Sequence, residues 1–290
     1  MDGKYHIWKI SKYLNLRLMF KCLRKFFFAN KVVSSKQVFN DLGDLFTDVH
    51  SHLVPGVDDG AHDMETAVAL IQRLQDLGYK RLVITPHIMS DLYPNTPEIL
   101  KPKFEELKRE VARKLPPIEL LLGAEYFLEQ NFIDLLSEAS NADNVLLTFP
   151  CKDPVTGEKM EMILFEFAFH EAPNEGLLAE AIFKMQTSGL TPVLAHCARY
   201  PYWNMDRDKL KELHSKGVIL SINAATLSGA YGDLAKETAL FAIENGWVRM
   251  ICSDTHAPHH ISAVKELERS PILADLMSSG VLLNSGVGDF

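Results

Sequence analysis

Beyond residue 45 the chain alternates short apolar runs with longer segments of helical period. The runs are Leu45–Val49, Leu82–Thr85, Ile118–Leu122, Met162–Phe167, Pro192–Ala195, Val218–Ile222 and Val248–Cys252. Each is short and rich in Ile, Leu, Val and Phe, as expected of strands buried on both faces. Between them lie Asp63–Gly78, Glu98–Leu115, Gln130–Ser140, Glu175–Gly189, Asp206–Gly217, Leu234–Gly246 and His260–Arg269. The first is the clearest helix. Ala67, Leu70, Ile71, Leu74 and Leu77 share one face, Asp63 stands at the N-cap and Gly78 at the stop. Strand then helix, seven times over, predicts parallel βα units. No glycine-rich phosphate loop follows the first strand, so a closed barrel is expected rather than an open sheet. In Asn144–Lys159 the run Asp153-Pro154-Val155-Thr156-Gly157 reads as a hairpin tip inserted before the fourth strand.

Composition narrows the class. The 290 residues are 47% hydrophobic with only 16 Gly and 14 Pro, which excludes disorder and collagen-like repeats. The formal charge of −8 divides unevenly: residues 1–36 carry nine Lys/Arg and one acid, and the remainder carries −16. A basic N-terminal arm (1–44) preceding a barrel domain (45–290) is therefore expected. The arm interleaves Leu18, Met19, Phe20 and Phe26, Phe27, Phe28 with Lys21, Arg24 and Lys25. Its apolar stretches are too short for a signal peptide, and no small-residue cleavage site follows. It reads most simply as a helix docking on the body or a partner, with Met19 an alternative start. A helix contacting an anionic membrane surface is the second reading. No run of about 20 apolar residues exists to span a bilayer. The acidic body argues against nucleic acid as a partner. Cys22, Cys151, Cys197 and Cys252 form no CxxC pair, which points to a reduced, cytoplasmic setting.

The candidate chemistry stands at the C-terminal ends of the expected strands. In chain order these ends present Asp48, His50 and His52 with Asp58-Asp59-Gly60 beyond them, His87, Glu125, Glu166, His196 with Arg199, Asn223, and Asp254 with His256. In a βα barrel such ends converge on one mouth. Five histidines and at least four carboxylates then face one cavity, a composition suited to several metal ions. Mixed imidazole and carboxylate donors without thiolates favour Mn²⁺, Fe²⁺ or Zn²⁺ over Mg²⁺ or Ca²⁺ alone. His50-x-His52 and Asp254-x-His256 have the spacing that puts two side chains on one face of a strand. Glu125 and Glu166 end apolar runs, where an unpaired carboxylate would be costly. Asp58 competes with Asp59 as a ligand, and Asp59 is preferred. His62, His259 and His260 lie where substrate could reach them; His6, His170 and His214 read as surface or packing residues, and Asn223 as a turn or cap. A cysteine phosphatase loop needs Arg six residues after Cys. Those positions hold Phe28, Gly157, Trp203 and Pro258, so that chemistry is excluded.

Together these motifs resemble the polymerase-and-histidinol-phosphatase (PHP) superfamily, and most closely its bacterial manganese-dependent protein-tyrosine phosphatases of capsule and exopolysaccharide loci, the CpsB/CapC type. The resemblance rests on Asp48-Val-His50-Ser-His52 through Asp58-Asp59-Gly60, Thr85-Pro-His87, Gly123-Ala-Glu125-Tyr126, Glu166-Phe167, Ala195-His196-Cys-Ala-Arg199-Tyr200 and Ser253-Asp254-Thr-His256. It implies a distorted (β/α)7 barrel with two or three divalent cations, Mn²⁺ first and Fe²⁺, Zn²⁺ or Mg²⁺ as alternatives. One would be held by His50, His52, Glu125 and Asp254, a second by Glu125, Glu166 and His196, and a third by Asp59, His87 and His256. Arg199 and His256 would be the catalytic residues, Arg199 also fixing the substrate phosphate while metal-activated hydroxide attacks phosphorus. The implied partner is a tyrosine-phosphorylated kinase or peptide; oligomerisation is left open. Two alternatives are a small-molecule phosphoesterase of histidinol-phosphatase type and a non-catalytic regulator of polysaccharide assembly. Two positions depart from the family pattern. Ala198 stands where Glu usually precedes the arginine, and no Arg follows His256 before Arg269, leaving His259 and His260 as the substitutes.

Overall fold

The computed structural model describes residues 42–139, 146–204, 207–267 and 270–289. The expected basic arm lies outside these residues except at its C-terminal end, where Leu42–Leu45 form a 3₁₀ turn. The strand segments are β1 (Thr47–Asp48), β2 (Arg81–Ile84), β3 (His87–Ile88), β4 (Glu119–Leu122), β5 (Glu125–Phe127), β6 (Phe149–Lys152), β7 (Lys159–Glu166), β8 (Leu190–Leu194), β9 (Ile219–Asn223) and β10 (Val248–Cys252). β2 with β3, and β4 with β5, are each one strand position interrupted once. The first break falls at Pro86, which has no N–H to give the ladder, and the second at Gly123-Ala124. Hydrogen bonding continues across both: Gly123 N donates to Ile84 O at 2.9 Å and Glu125 N to Pro86 O at 3.1 Å.

Seven strand positions therefore run in parallel. β1 pairs with β2 and β2 with β4, while the order β3, β5, β7, β8, β9, β10 continues the ring. It closes where Ser51 bridges Thr255 in parallel. At that seam Asp254 N donates to His50 O and His52 N to Thr255 O, both at 3.0 Å. The barrel anticipated from the apolar runs is thus realised, and β6 adds the anticipated hairpin, antiparallel to β7 with its turn at Asp153–Gly157.

The helices are α1 (Met64–Asp76), α2 (Pro97–Lys114), α3 (Gln130–Ala139), α4 (Glu175–Thr187), α5 (Pro201–Asn204), α6 (Asp208–Ser215), α7 (Ala224–Ser228), α8 (Asp233–Glu244), α9 (Pro258–Glu266) and α10 (Pro271–Ser278). The Asp63 carboxylate caps α1 by accepting from Thr66 N at 2.8 Å, as the sequence pattern predicts. α5, α7 and α10 are not anticipated: α5 and α7, at four and five residues, are too short to show a period, and α10 lies beyond the last segment of helical period read from the sequence.

Two apolar layers follow from strand alternation. Val83, Met162, Leu164, Val193, Met250 and Cys252 belong to a cluster that contains no α-helical residue, and so fills the barrel interior. Ile84, Ile163, Phe165, Leu194, Leu220 and Ile251 belong to the larger cluster with Leu74, Leu107, Leu136, Leu178 and Ala239 of the helices. The C-terminal segment seals the seam between β1 and β10. Buried Asn284 donates from Nδ2 to Thr47 O at 3.0 Å and Ile251 O at 2.6 Å, and accepts from Ile251 N at 3.1 Å.

Candidate metal centre

Strand alternation aims three of the predicted ligands. Val83 and Thr85 lead to His87, Leu121 and Gly123 to Glu125, and Met162 and Leu164 to Glu166, each two residues on along the inward face. His196 breaks this rule because it directly follows inward-facing Ala195. Its φ of +34° turns the chain, and Asp254 is likewise left-handed at +52°. Few residues other than glycine adopt this region, and such strain of order 1 kcal/mol is concentrated at functional sites.

The ring nitrogens and carboxylate oxygens converge. His50 Nε2 lies 3.0 Å from His52 Nε2. Glu125 Oε2 is 3.2 and 3.3 Å from these two nitrogens, and Asp254 Oδ1 is 3.5 Å from each. Four donors bonded to one cation at about 2.1 Å would stand roughly 3.0–3.4 Å apart, the edges of an octahedron or tetrahedron. Around this group, His87 Nδ1 lies 3.2 Å from Glu125 and 2.9 Å from Glu166. His196 Nε2 is 2.9 Å from Glu125 Oε1 and 3.6 Å from Glu166 Oε2. Asp59 Oδ1 is 3.5 Å from His87 Nε2 and 3.4 Å from His256 Nε2. Three overlapping groups are thus spaced to hold metal ions: His50, His52 and Asp254; His87, Glu125 and Glu166; and His52, Asp59, His87 and His256. His87 Nδ1 and Glu166 Oε1 are buried and adjacent, yet neither makes a hydrogen bond. This donor set fits divalent cations.

Electrostatics agree with that fit. Burial pushes the Glu166 carboxyl up, and neighbouring Glu125 pushes it further. Burial would also raise Glu125, but His50 and His87 hold it well below its ordinary value. Two adjacent buried carboxylates cannot both ionise cheaply without positive charge between them. Burial opposes protonation of His87, yet Glu125 and Glu166 overcome it and raise the imidazole to about 10. Asp254 is held low against its burial by His50, His256, His196 and His52.

The surrounding residues orient these groups. Asp58, the competitor of Asp59, is turned inward: its Oδ2 lies 2.8 Å from His52 Nδ1 and accepts from His87 N at 3.1 Å. Gly60 follows because a Cβ there would lie 2.1 Å from His52 O. Arg199 donates from Nη1 to Asp254 Oδ2 at 3.0 Å, and Asn223 donates from Nδ2 to the same oxygen at 2.6 Å. Asn223 is therefore more than the turn or cap its sequence position predicts; its place at a strand end was the available signal. His260 Nδ1 accepts from His256 N at 3.0 Å. Burial, then His259 and His256, lowers His260 to about 4, so near neutral pH it is uncharged and offers no positive charge to a phosphate. His259 is exposed beside it, ring centroids 4.1 Å apart. His62 is exposed and approaches Thr66 and Asp63, and His214 stacks on Trp247. Burial raises the thiols of Cys151 and Cys252, to about 12 and about 11.

Fold and site together define a βα-barrel protein with a polynuclear imidazole–carboxylate cluster at its mouth. More particularly, the chain belongs to the CpsB/CapC family of capsular polysaccharide synthesis, whose profile matches residues 46–271. Among its relatives, tyrosine-protein phosphatase YwqE of Bacillus subtilis is 26% identical over 210 residues, 72% of this chain and 76% of that protein. Tyrosine-protein phosphatase CpsB of Streptococcus agalactiae is 24% identical over 214 residues, 72% and 82% of the two chains. One solved fold matches with a TM-score of 0.66 at 22% identity, over 83% of this chain and 94% of the other. It comes from a study of YwqE from Bacillus subtilis and CpsB from Streptococcus pneumoniae, described there as unique metal-dependent tyrosine phosphatases.

Proposed function

We propose that this protein is a metal-dependent protein-tyrosine phosphatase that hydrolyses phosphotyrosine on a bacterial kinase controlling capsule or exopolysaccharide synthesis, acting in the cytoplasm. The observation that carries the reading is the convergence of nine imidazole and carboxylate side chains beside one partly exposed arginine. His50, His52, Glu125 and Asp254 would hold one cation, Glu125, Glu166 and His196 a second, and Asp59, His87 and His256 a third, with Mn²⁺ the first choice of metal. Divalent cations there supply Lewis acidity toward a phosphoryl oxygen and lower the pKa of a water. Asp58 fixes the ring orientation of His52. His256 Nδ1 lies 3.0 Å from Asp254 O, a contact that leaves Nε2 directed toward Asp59. Arg199 keeps donors beyond the one spent on Asp254, and these can grip a phosphoryl oxygen as charge develops.

The test compares manganese-stimulated hydrolysis of a phosphotyrosine peptide, a phosphoserine peptide and histidinol phosphate. Preference for the phosphotyrosine peptide is expected; preference for histidinol phosphate would overturn the tyrosine reading. Absence of turnover with manganese bound would make the protein a regulator. His50→Ala should lose bound metal and activity together, and full activity in that variant would remove His50 from the ligand set.

A further inference from the structure

Among the described residues, Arg199 is the Lys or Arg side chain ion-paired to a member of the cluster. Its guanidinium carbon also lies over two aromatic rings, 4.5 Å from the Phe169 centroid and 4.2 Å from that of Tyr231. Phe169 follows β7, Arg199 follows β8, and Tyr231 lies beyond β9 and α7, so three successive barrel loops meet on one cation.

Both rings are themselves held. On the Phe169 side, Tyr200 Oη accepts from Phe167 N at 3.2 Å and Tyr202 Oη donates to Ala168 O at 2.9 Å. The Phe169 ring stacks on that of Tyr200 at 5.6 Å. Tyr231 sits in a tight turn between Gly229 and Gly232, both left-handed at φ of +93° and +88°, closed by Gly232 N donating to Gly229 O at 3.0 Å. Neither ring belongs to the ligand set, and Phe169 remains 38% exposed at the mouth.

We propose that Phe169 and Tyr231 are positioning residues for phosphate recognition: their faces hold the Arg199 guanidinium so that the donors not spent on Asp254 meet a phosphoryl oxygen. A free arginine side chain loses rotamer freedom when it grips an anion. The two rings and the Asp254 carboxylate remove that freedom beforehand, and the cation–π contacts leave the in-plane N–H donors available. The inference rests on the reading of Arg199 as the phosphate-binding side chain.

The test uses the manganese-loaded protein and two probes, inorganic phosphate in calorimetric titration and p-nitrophenyl phosphate in steady-state kinetics. Replacing both rings (Phe169→Leu with Tyr231→Leu) should weaken phosphate binding about tenfold and raise KM by a similar factor. kcat should stay within about threefold with the metal still bound. Because the Phe169 ring also packs on Tyr200 and His196, Tm should fall by a few degrees, and affinities are compared well below it. Tyr231→Phe keeps a ring face and should restore most of the affinity when Phe169 is intact. In the Arg199→Ala background, removing the rings should cost nothing further, because no guanidinium remains to be held. An equal loss in that background, or unchanged phosphate affinity in the double leucine variant, would overturn the proposal. So would failure of the parent protein to bind phosphate at millimolar concentration. Neither probe is a tyrosine peptide, so an error in the tyrosine reading would leave these results interpretable.

Discussion

Asn284 stands where the barrel closes, and removing it measures what the closure is worth. Its carboxamide makes three buried hydrogen bonds, to Thr47 O, to Ile251 O and from Ile251 N, and so ties β1 to β10. These groups are shut off from bulk solvent: Thr47 and Ile251 are fully buried and Asn284 is 1% exposed. At about 1 kcal/mol per bond, with the Ile251 N–H left orphaned, Asn284→Ala should cost about 3 kcal/mol. With a urea slope of roughly 3 kcal/mol per molar, the unfolding midpoint should fall by about 1 M at unchanged slope. Asn284→Asp sharpens the test. It retains an oxygen for Ile251 N–H but turns a second oxygen toward two carbonyls, and should be no more stable than the alanine variant. If both variants unfold within about 0.5 kcal/mol of the parent, well below one net hydrogen bond, the three bonds do not fasten the seam and the reasoning fails.

Two further outcomes follow from other parts of the molecule. Asp153 at the hairpin tip accepts from the Val155 and Thr156 amides at 2.8 and 3.0 Å, and from Arg249 at 2.7 Å. Burial alone would raise its carboxyl, but these partners hold it below the ordinary value. Its folded pKa is therefore the lower one. The stability it contributes is complete above the unfolded value near 4 and is lost as pH falls through the folded value. Urea midpoints from pH 7 to pH 3 should fall less steeply for Asp153→Asn than for the parent; parallel profiles would refute the assignment. Gly60→Ala would set a Cβ 2.1 Å from His52 O and 2.5 Å from His52 Cβ. Bound manganese, read by mass spectrometry, should drop and Tm should fall by roughly 5 °C or more; an unchanged metal content would show that the 58–60 loop has room to yield.

Strand and helix positions were legible because burial on both faces and burial on one stripe leave different periods. Leu82–Thr85 and Val248–Cys252 correspond to β2 and β10, and Asp63–Gly78 brackets α1 with its cap. His50, His52, Glu125, Glu166 and Asp254 were legible because a parallel barrel collects its strand ends at one mouth. The breaks at Pro86 and Gly123-Ala124 were not, since two residues of irregular backbone leave no trace in an apolar run. Nor was the turned backbone at His196, which depends on the curvature of the closed ring. The same holds for Asn284, which lies thirty-two residues beyond the last strand and meets β1 only once the barrel is closed. Phe169 and Tyr231 sit in separate loops with no motif of their own. Their meeting over Arg199 is a property of neighbouring βα loops in three dimensions.

The seam has a consequence for the order of events during maturation. His50 and His52 come from the first strand position, and Asp254 and His256 from the last, about two hundred residues later. The ribosome must release nearly the whole barrel before these donors can meet. Under the proposed ligand sets, a cation between His50, His52 and Asp254 would therefore be loaded only after closure, whereas His87, Glu125 and Glu166 come together without the last strand. With the ligands proposed above, a cation held by both His50 and Asp254 would act as a removable cross-link over that long loop. Treated as a covalent staple, it has an entropic ceiling of about 5 kcal/mol. Chelation should then speed unfolding as well as stop turnover, and in a cell short of the metal, abundance would fall along with activity.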